Sequence, residues 1–205
     1  FDILVAEENI HVKTSLSNPL KDLNIIESDE NKIFYDYLNF IAARRELRTP
    51  LDSCLADSLA SDKEKDNCRE QLKKLNDEVV GMQKDLVSKH GGKLVGKILN
   101  MALEVEVPED VIAKAKEDQS IQYYWYRDHY WDHVDFEDPR LVRDQMFHRL
   151  VDKYYSKVLP QIPDSLSALA IKLVERTKNK DMFKYIVHHI TYASETSKIM
   201  CMDKV

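Results

Sequence analysis

The residues best suited to chemistry lie in one aromatic segment, residues 123–136. Within it His129 and His133 are four residues apart, so on a helix the two imidazoles would share a face and could bind one metal ion, with Asp132 adding an oxygen ligand. Zinc metalloproteases place a Glu directly after the first His, but Tyr130 occupies that position here. The alternative is structural: the rings pack between helices, and their polar tips bond to backbone or carboxylate groups. We favour this interpretation and keep His129, Asp132 and His133 as the candidates for a metal site.

Other polar clusters give weaker signals. His188 and His189 are adjacent, and adjacent helical residues point about 100° apart, so we expect them to be structural or exposed rather than to share a metal. Asp135, Glu137 and Asp138 could act as acid and base, but a helix cap and a solvated turn explain them. The sequence has no glycine-rich phosphate loop, no nucleophilic serine motif and no cysteine with an obvious base partner. We therefore predict no catalytic residue, no cofactor-binding residue and no cofactor.

The three cysteines, Cys54, Cys68 and Cys201, fit neither a CxxC redox motif nor a zinc knuckle. Two of them flank a polar run, residues 61–67, that predicts the tip of an antiparallel helical hairpin. If the tip is centred near Ser61, residues equally far from it face each other, which pairs Cys54 with Cys68. Helices pack about 8–10 Å apart, so facing Cα atoms can come within the roughly 4.4–6.8 Å that a disulfide spans. We predict either a structural disulfide between Cys54 and Cys68 or two reduced thiols packed in the seam.

Composition and periodicity predict a mainly α-helical fold. The 205 residues include only 4 Gly and 6 Pro, fewer turn residues than a β-rich or loop-built fold usually needs. Apolar residues recur at helical spacing in several segments. The clearest stripe alternates steps of four and three: Cys68, Leu72, Leu75, Val79, Met82 and Leu86. We predict an irregular multi-helix bundle of roughly six to eight helices that contains an antiparallel helical hairpin.

The N-terminal residues predict a short β hairpin. Residues 1–6 and 10–14 read as two strands joined by a polar turn. Two strands alone are marginal in water. We therefore interpret residues 1–27 as the tail of a preceding β domain and residues 28–205 as a helical module.

Prolines and capping residues divide the helical part. The first helix begins at Asp29, and Pro50 separates it from a second helical stretch. Asp138 and Pro139 form a strong start signal for a later helix, which we expect to run to Pro160.

Charge patterning argues against a nucleic-acid-binding protein. The net charge is -6, from 30 basic and 36 acidic residues that are interleaved along the chain, so no basic face accumulates. No apolar run reaches the roughly 18 residues that span a bilayer. We predict neither a nucleic-acid partner nor a membrane-spanning segment.

The order of several segments resembles a known module. FDILVAEENIHVKT at the start precedes SDENKIFYDYLNF, and later come HYWD at residues 129–132 and IMCMD at residues 199–203. This series resembles the uncharacterised helical module that precedes the thioredoxin-like domain in exported thiol–disulfide oxidoreductases of Bacteroidota. The resemblance covers roughly residues 28–205, and HYWD and IMCMD are its most specific parts. His133 departs from the pattern, where a small polar residue is expected.

The resemblance implies a periplasmic or cell-envelope protein. It also implies two kinds of partner: a thioredoxin-like domain that follows Val205 in the same polypeptide, and client proteins. An oxidising compartment would let the bond between Cys54 and Cys68 form. No catalytic residue carries over, because the CxxC of such proteins belongs to the thioredoxin-like domain.

The predicted function is a non-catalytic accessory or interaction module of an exported thioredoxin-like thiol–disulfide oxidoreductase. The alternative is a metal-binding or hydrolytic domain centred on His129, Asp132 and His133. We expect this chain not to be an enzyme by itself.

Overall fold

The computed structural model of the chain describes residues 2–6, 9–19 and 21–205, apart from the side chain of Asp203. Phe1 and the predicted turn residues Glu7 and Glu8 therefore lie outside the described residues. The described part is mainly helical and carries one short antiparallel β hairpin, as predicted. The strands are β1 (His11–Lys13) and β2 (Asn24–Glu27), and the helices are α1 (Asp29–Ala56), α2 (Asp62–His90), α3 (Leu94–Met101), α4 (Glu109–Ala115), α5 (Gln119–His129), α6 (Gln145–Lys153), α7 (Pro163–Arg176) and α8 (Lys180–Glu195). Two 3₁₀ turns, Pro139–Arg143 and Met202–Lys204, and a π-helical segment, Tyr154–Val158, complete the elements.

The N-terminal hairpin pairs differently from the prediction. Strand β1 pairs with β2 and not with residues 2–6. Leu4 instead uses both of its backbone groups on one side chain: its N–H donates to Asn31 Oδ1 at 2.8 Å, and Asn31 Nδ2 donates to its carbonyl at 2.9 Å. The prediction of a first strand is therefore wrong for residues 2–6, because a buried amide side chain takes the place of a strand partner at Leu4.

The chain forms two compact units, residues 1–100 and 101–205. In the first unit, α1 and α2 form the predicted helical hairpin. Helix α1 continues through Pro50, so the predicted division there is wrong. Pro50 removes the bond to the Glu46 carbonyl, but both residues are exposed, and water can replace that bond.

The hairpin turn lies earlier than the predicted residues 61–67, because Ser61 begins α2 instead of forming part of a turn. Ser61 and Glu64 make a capping box: Ser61 Oγ accepts from the Glu64 N–H at 3.3 Å, and Glu64 Oε2 accepts from the Ser61 N–H at 2.8 Å. Residues 57–61 therefore connect the two helices. The polar residues that follow form the exposed first turns of α2.

Two buried polar side chains join α3 to the hairpin. Glu30 Oε2 accepts a hydrogen bond from the Val95 N–H, 2.8 Å away, at the start of α3. Gln83 Nε2 on α2 donates to the Leu99 carbonyl at 2.7 Å. Since buried polar groups are costly unless paired, these bonds fix the register of α3 on the hairpin.

The second unit packs short helices around an apolar core. Six of its side chains are 0% exposed: Leu141, Phe147, Val151, Leu166, Met182 and Ile186. They come from the first 3₁₀ turn and from α6, α7 and α8. Across the described residues of the whole chain, no helix combines the length and apolar character needed to cross a membrane.

The helix predicted between Asp138 and Pro160 is divided into three elements. Asp138 caps only a 3₁₀ turn, accepting from the Arg140 N–H at 3.1 Å. Asp144 then caps α6, accepting from the Met146 N–H at 2.7 Å. A π-helical segment follows α6. The prediction of one helix is wrong, because Asp144 supplies a second cap within the interval.

Candidate functional site

The three metal-site candidates do not lie along one helix face, because α5 ends at His129. The HYWD residues form a turn in which the Asp132 N–H donates to the His129 carbonyl at 3.0 Å. His133 follows in the same turn, so the helical relation that would let His129 and His133 share a metal is absent. Among the residues that the structure describes, no group of three or more His, Cys, Asp and Glu side chains is placed to hold a metal ion.

His129 and Asp132 form a clip across the HYWD turn. His129 Nδ1 lies 2.6 Å from Asp132 Oδ2, and the imidazole stacks on Trp125 with ring centroids 4.1 Å apart. Both side chains are nearly half exposed, at 43% and 47%. A solvated pair of this kind contributes about 0–1 kcal/mol. The clip orients the imidazole, and a base that activates a Ser, Thr or Cys nucleophile would hydrogen-bond to its hydroxyl or thiol. Among the described residues, the hydrogen-bond partner of His129 is a carboxylate.

The inner residues of the HYWD turn are buried in an aromatic cluster that we define as Tyr130, Trp131 and Tyr154. The three ring centroids lie 4.9–5.0 Å from one another. Tyr130 donates its hydroxyl hydrogen to the Leu150 carbonyl at 3.0 Å. Trp131 is 2% exposed, whereas Tyr124, earlier in the segment, is 51% exposed. The rings are thus buried, as the structural interpretation expects, at the centre of the segment and not along its whole length.

One polar tip of the aromatic cluster lacks the predicted hydrogen bond. Trp131 Nε1 is buried and has no hydrogen-bond partner among the described residues. Burial raises the pKa of Tyr154, and the nearby Trp131 indole N–H opposes that effect without reaching hydrogen-bond geometry. The polar tips are thus bonded as the structural interpretation expects at Tyr130 but not at Trp131.

The cysteines divide into a bonded pair and one free thiol. Cys54 on α1 and Cys68 on α2 form a disulfide with their Cα atoms 6.6 Å apart, inside the range that a disulfide spans. Of the two alternatives for this pair, the structure has the bonded one. Cys201 is free and exposed.

The remaining acidic candidates occupy a turn and a cap. Asp135 Oδ1 accepts from the Glu137 N–H at 2.9 Å. Asp138 is buried and makes a two-pronged ion pair with Arg140, with Nε and Nη2 at 2.9 and 2.6 Å from its two oxygens. These contacts agree with the predicted cap and turn.

A cluster on α6 and α8 was not singled out from the sequence. His148 Nδ1 bonds with the Tyr185 hydroxyl, and the His148 and His189 rings lie 5.3 Å apart. His189 Nε2 is 3.8 Å from Asp152 Oδ1. Burial lowers the pKa of His189, His148 and exposed His188 lower it further, and Asp152 opposes them. The sequence pattern that could have predicted this cluster is the i, i+4 spacing of His148 with Asp152 and of Tyr185 with His189.

A groove of about 630 Å³ lies between α4 and α5. Ile112, Tyr123 and Tyr126 supply its rings and apolar surface, and Lys116 is its one charged lining residue.

Comparison with known proteins places the chain in a family without an assigned function. No curated protein and no solved structure matches it. The match to a family covers residues 60–205, which is more than half of the chain and includes the HYWD turn, the aromatic cluster and Cys68. The chain therefore belongs to the family described as a domain of unknown function (DUF5106).

Proposed function

We propose that the chain is a non-catalytic accessory or interaction module of an exported thioredoxin-like thiol–disulfide oxidoreductase. The observation that carries this proposal is the disulfide between Cys54 and Cys68. Structural disulfides persist in oxidising compartments and are rare in the cytosol. The bond thus supports a periplasmic or cell-envelope location.

The state of the thiols supports a role without turnover. Catalytic disulfide exchange needs an activated thiolate and a second thiol that resolves the mixed disulfide. Two of the three cysteines are bonded to each other across the hairpin, which leaves Cys201 without a cysteine partner.

The HYWD motif also supports a structural role. Tyr130 and Trp131 are buried in the aromatic cluster, and the clip of His129 and Asp132 closes the turn around them. Ring packing and turn formation give each of the four HYWD residues a structural role. The resemblance carried by HYWD and IMCMD supplies the proposed partners, an adjacent thioredoxin-like domain and client proteins.

A disulfide-reduction assay tests the absence of turnover. The purified chain should not accelerate the reduction of insulin by dithiothreitol beyond the rate of its Cys201→Ser variant. Multiple turnovers that this variant abolishes would overturn the non-catalytic assignment.

The coding sequence downstream of Val205 tests the proposed context. A CxxC within a thioredoxin-like domain there supports the accessory role. A downstream sequence without such a domain contradicts it.

Metal analysis of the purified chain distinguishes the accessory module from the alternative, a metal-binding or hydrolytic domain. Stoichiometric metal that is lost in both His129→Ala and His133→Ala would favour that alternative. Equal, substoichiometric metal in the wild type and both variants would support the accessory module.

A further inference from the structure

The second unit contains a small cavity of about 270 Å³ between the end of α5, the π-helical segment and α7. Arg127 and Asp128 line it from α5, Tyr154 from the π-helical segment, and Lys172 and Arg176 from α7. Lys172 and Arg176 are one helical turn apart, so their side chains project from the same face of α7. Three separate elements thus contribute polar side chains to one partly open cavity.

The cavity carries an excess of positive charge. Its lining includes three cationic side chains and one carboxylate, which leaves a formal excess of two positive charges. Arg127 Nη2 pairs with Asp128 Oδ1 at 2.7 Å, and Arg176 Nη2 donates to the Asp128 backbone carbonyl at 3.2 Å. Within the described part of the chain, no carboxylate lies within 4.0 Å of the charged nitrogens of Lys172 or Arg176. The single carboxylate therefore offsets only one of the three cations.

A nearly buried hydroxyl group accompanies these charges. Tyr154 is 6% exposed and lines the cavity. Burial raises the pKa of Tyr154, and the Trp131 indole N–H and the Arg176 and Arg127 guanidinium groups oppose that effect. A hydroxyl beside two cations can donate a hydrogen bond to an anion that the cations attract.

We propose that this cavity binds a small tetrahedral oxyanion, either inorganic phosphate or the phosphate group of a small solute. The three cationic side chains neutralise its charge, and the Tyr154 hydroxyl donates a hydrogen bond to one of its oxygens. Guanidinium groups match the oxygens of phosphate geometrically. A divalent anion balances the two excess positive charges, and donors from three directions suit a tetrahedral group better than a planar carboxylate. The volume lies below the roughly 300–1,000 Å³ of sites for drug-sized ligands, which favours a small ligand.

NMR titration of the folded chain tests this site. Backbone amides of residues 127–128 and 172–176 are followed as inorganic phosphate replaces chloride at constant ionic strength. Sulfate, acetate and glycerol 3-phosphate serve as parallel probes. We expect saturable shifts with phosphate and sulfate, and weaker binding of acetate. Tighter binding of glycerol 3-phosphate than of phosphate would identify the ligand as an organic phosphate, and the reverse order would identify the free ion.

Charge-matched variants separate a specific site from general electrostatic attraction. Arg176→Gln and Lys172→Gln should each weaken phosphate binding about tenfold or more. Lys184→Gln removes the same charge from an exposed position of α8 that does not line the cavity, so its affinity should match the wild type. Tyr154→Phe keeps the packed ring and should also weaken binding. No saturable shift with phosphate, equal effects of Arg176→Gln and Lys184→Gln, or acetate binding as tight as that of phosphate would overturn the proposal.

Discussion

The helical hairpin of α1 and α2 buries little of its surface near the turn, whereas the unit after Asn100 encloses several side chains completely. In α1 the buried residues, Glu30, Asn31 and Tyr35, all lie within its first seven positions, and Leu47 is 57% exposed. The far end of the hairpin is instead joined covalently by the disulfide. The described part of the second unit has no disulfide and relies on core and aromatic packing. One unit is therefore sensitive to reduction and the other to loss of side-chain volume.

The largest expected effect comes from the aromatic cluster. Trp131→Ala removes a ring that is 2% exposed, and the cavity it leaves should lower the free energy of unfolding by about 3–5 kcal/mol. Urea denaturation followed by circular dichroism measures this loss. Tyr124→Ala, at a 51% exposed position of the same segment, is the matched control and should cost far less. Equal losses in the two variants would show that the aromatic cluster does not stabilise the unit.

Removal of the disulfide should weaken the hairpin selectively. Cys54 and Cys68 are 14 residues apart, and cross-linking a loop of about 15 residues contributes roughly 3 kcal/mol in the chain-entropy description. In the variant with both Cys54→Ser and Cys68→Ser, amide hydrogen exchange in α1 and α2 should be faster than in the wild type. Exchange in α6 to α8 should change less. Cys201→Ser is the control. Unchanged exchange in the hairpin would show that the disulfide does not stabilise it.

Two glycines of the first unit should respond in opposite directions. A Cβ at Gly96 in α3 would lie 2.0 Å from the His90 carbonyl oxygen, so Gly96→Ala forces backbone movement that costs about 1–3 kcal/mol. A Cβ at Gly81 in α2 would meet nothing within 4 Å, so Gly81→Ala should stabilise the helix by about 0.5–1 kcal/mol. Thermal unfolding of both variants checks the signs, and stabilisation by Gly96→Ala would contradict the packing of α3.

The smallest expected effect is a dependence of stability on pH in the second unit. Burial holds the pKa of folded His189 below its ordinary value of 6.5. The unfolded chain then binds protons more readily, so stability should fall as the pH drops below 6.5 and level off below the folded pKa. Urea midpoints of the wild type and His189→Gln, measured between neutral pH and about pH 5, should show a smaller pH dependence in the variant. His11→Gln, at an exposed position of the first unit, is the control, and an equal reduction there would contradict the role of burial.

The hairpin could be predicted from the sequence because its contacts follow helical periodicity. The stripe from Cys68 to Leu86 indicated the seam, and the facing positions paired Cys54 with Cys68. The turn was misplaced because Ser61 was assigned to a polar loop, although its spacing to Glu64 is that of a capping box.

The second unit and its candidate sites were harder to predict. Tyr130 and Trp131 lie in a turn and Tyr154 in a π-helical segment, so no helical period relates them. The cavity brings Arg127 on α5 together with Lys172 and Arg176 on α7. Only the spacing of the last two is visible in the sequence. Their meeting with Arg127 depends on tertiary packing, which local patterns do not encode.

The disulfide between Cys54 and Cys68 is tested most directly by counting free thiols with mass spectrometry. For this measurement the chain is produced with a signal peptide that directs it to the periplasm of the expression host. It is then denatured without reductant in the presence of iodoacetamide, and its intact mass is measured. A disulfide between Cys54 and Cys68 predicts one alkylated cysteine, Cys201, and alkylation of all three after reduction. Three alkylated cysteines without reduction would contradict the account, as would a bond that involves Cys201.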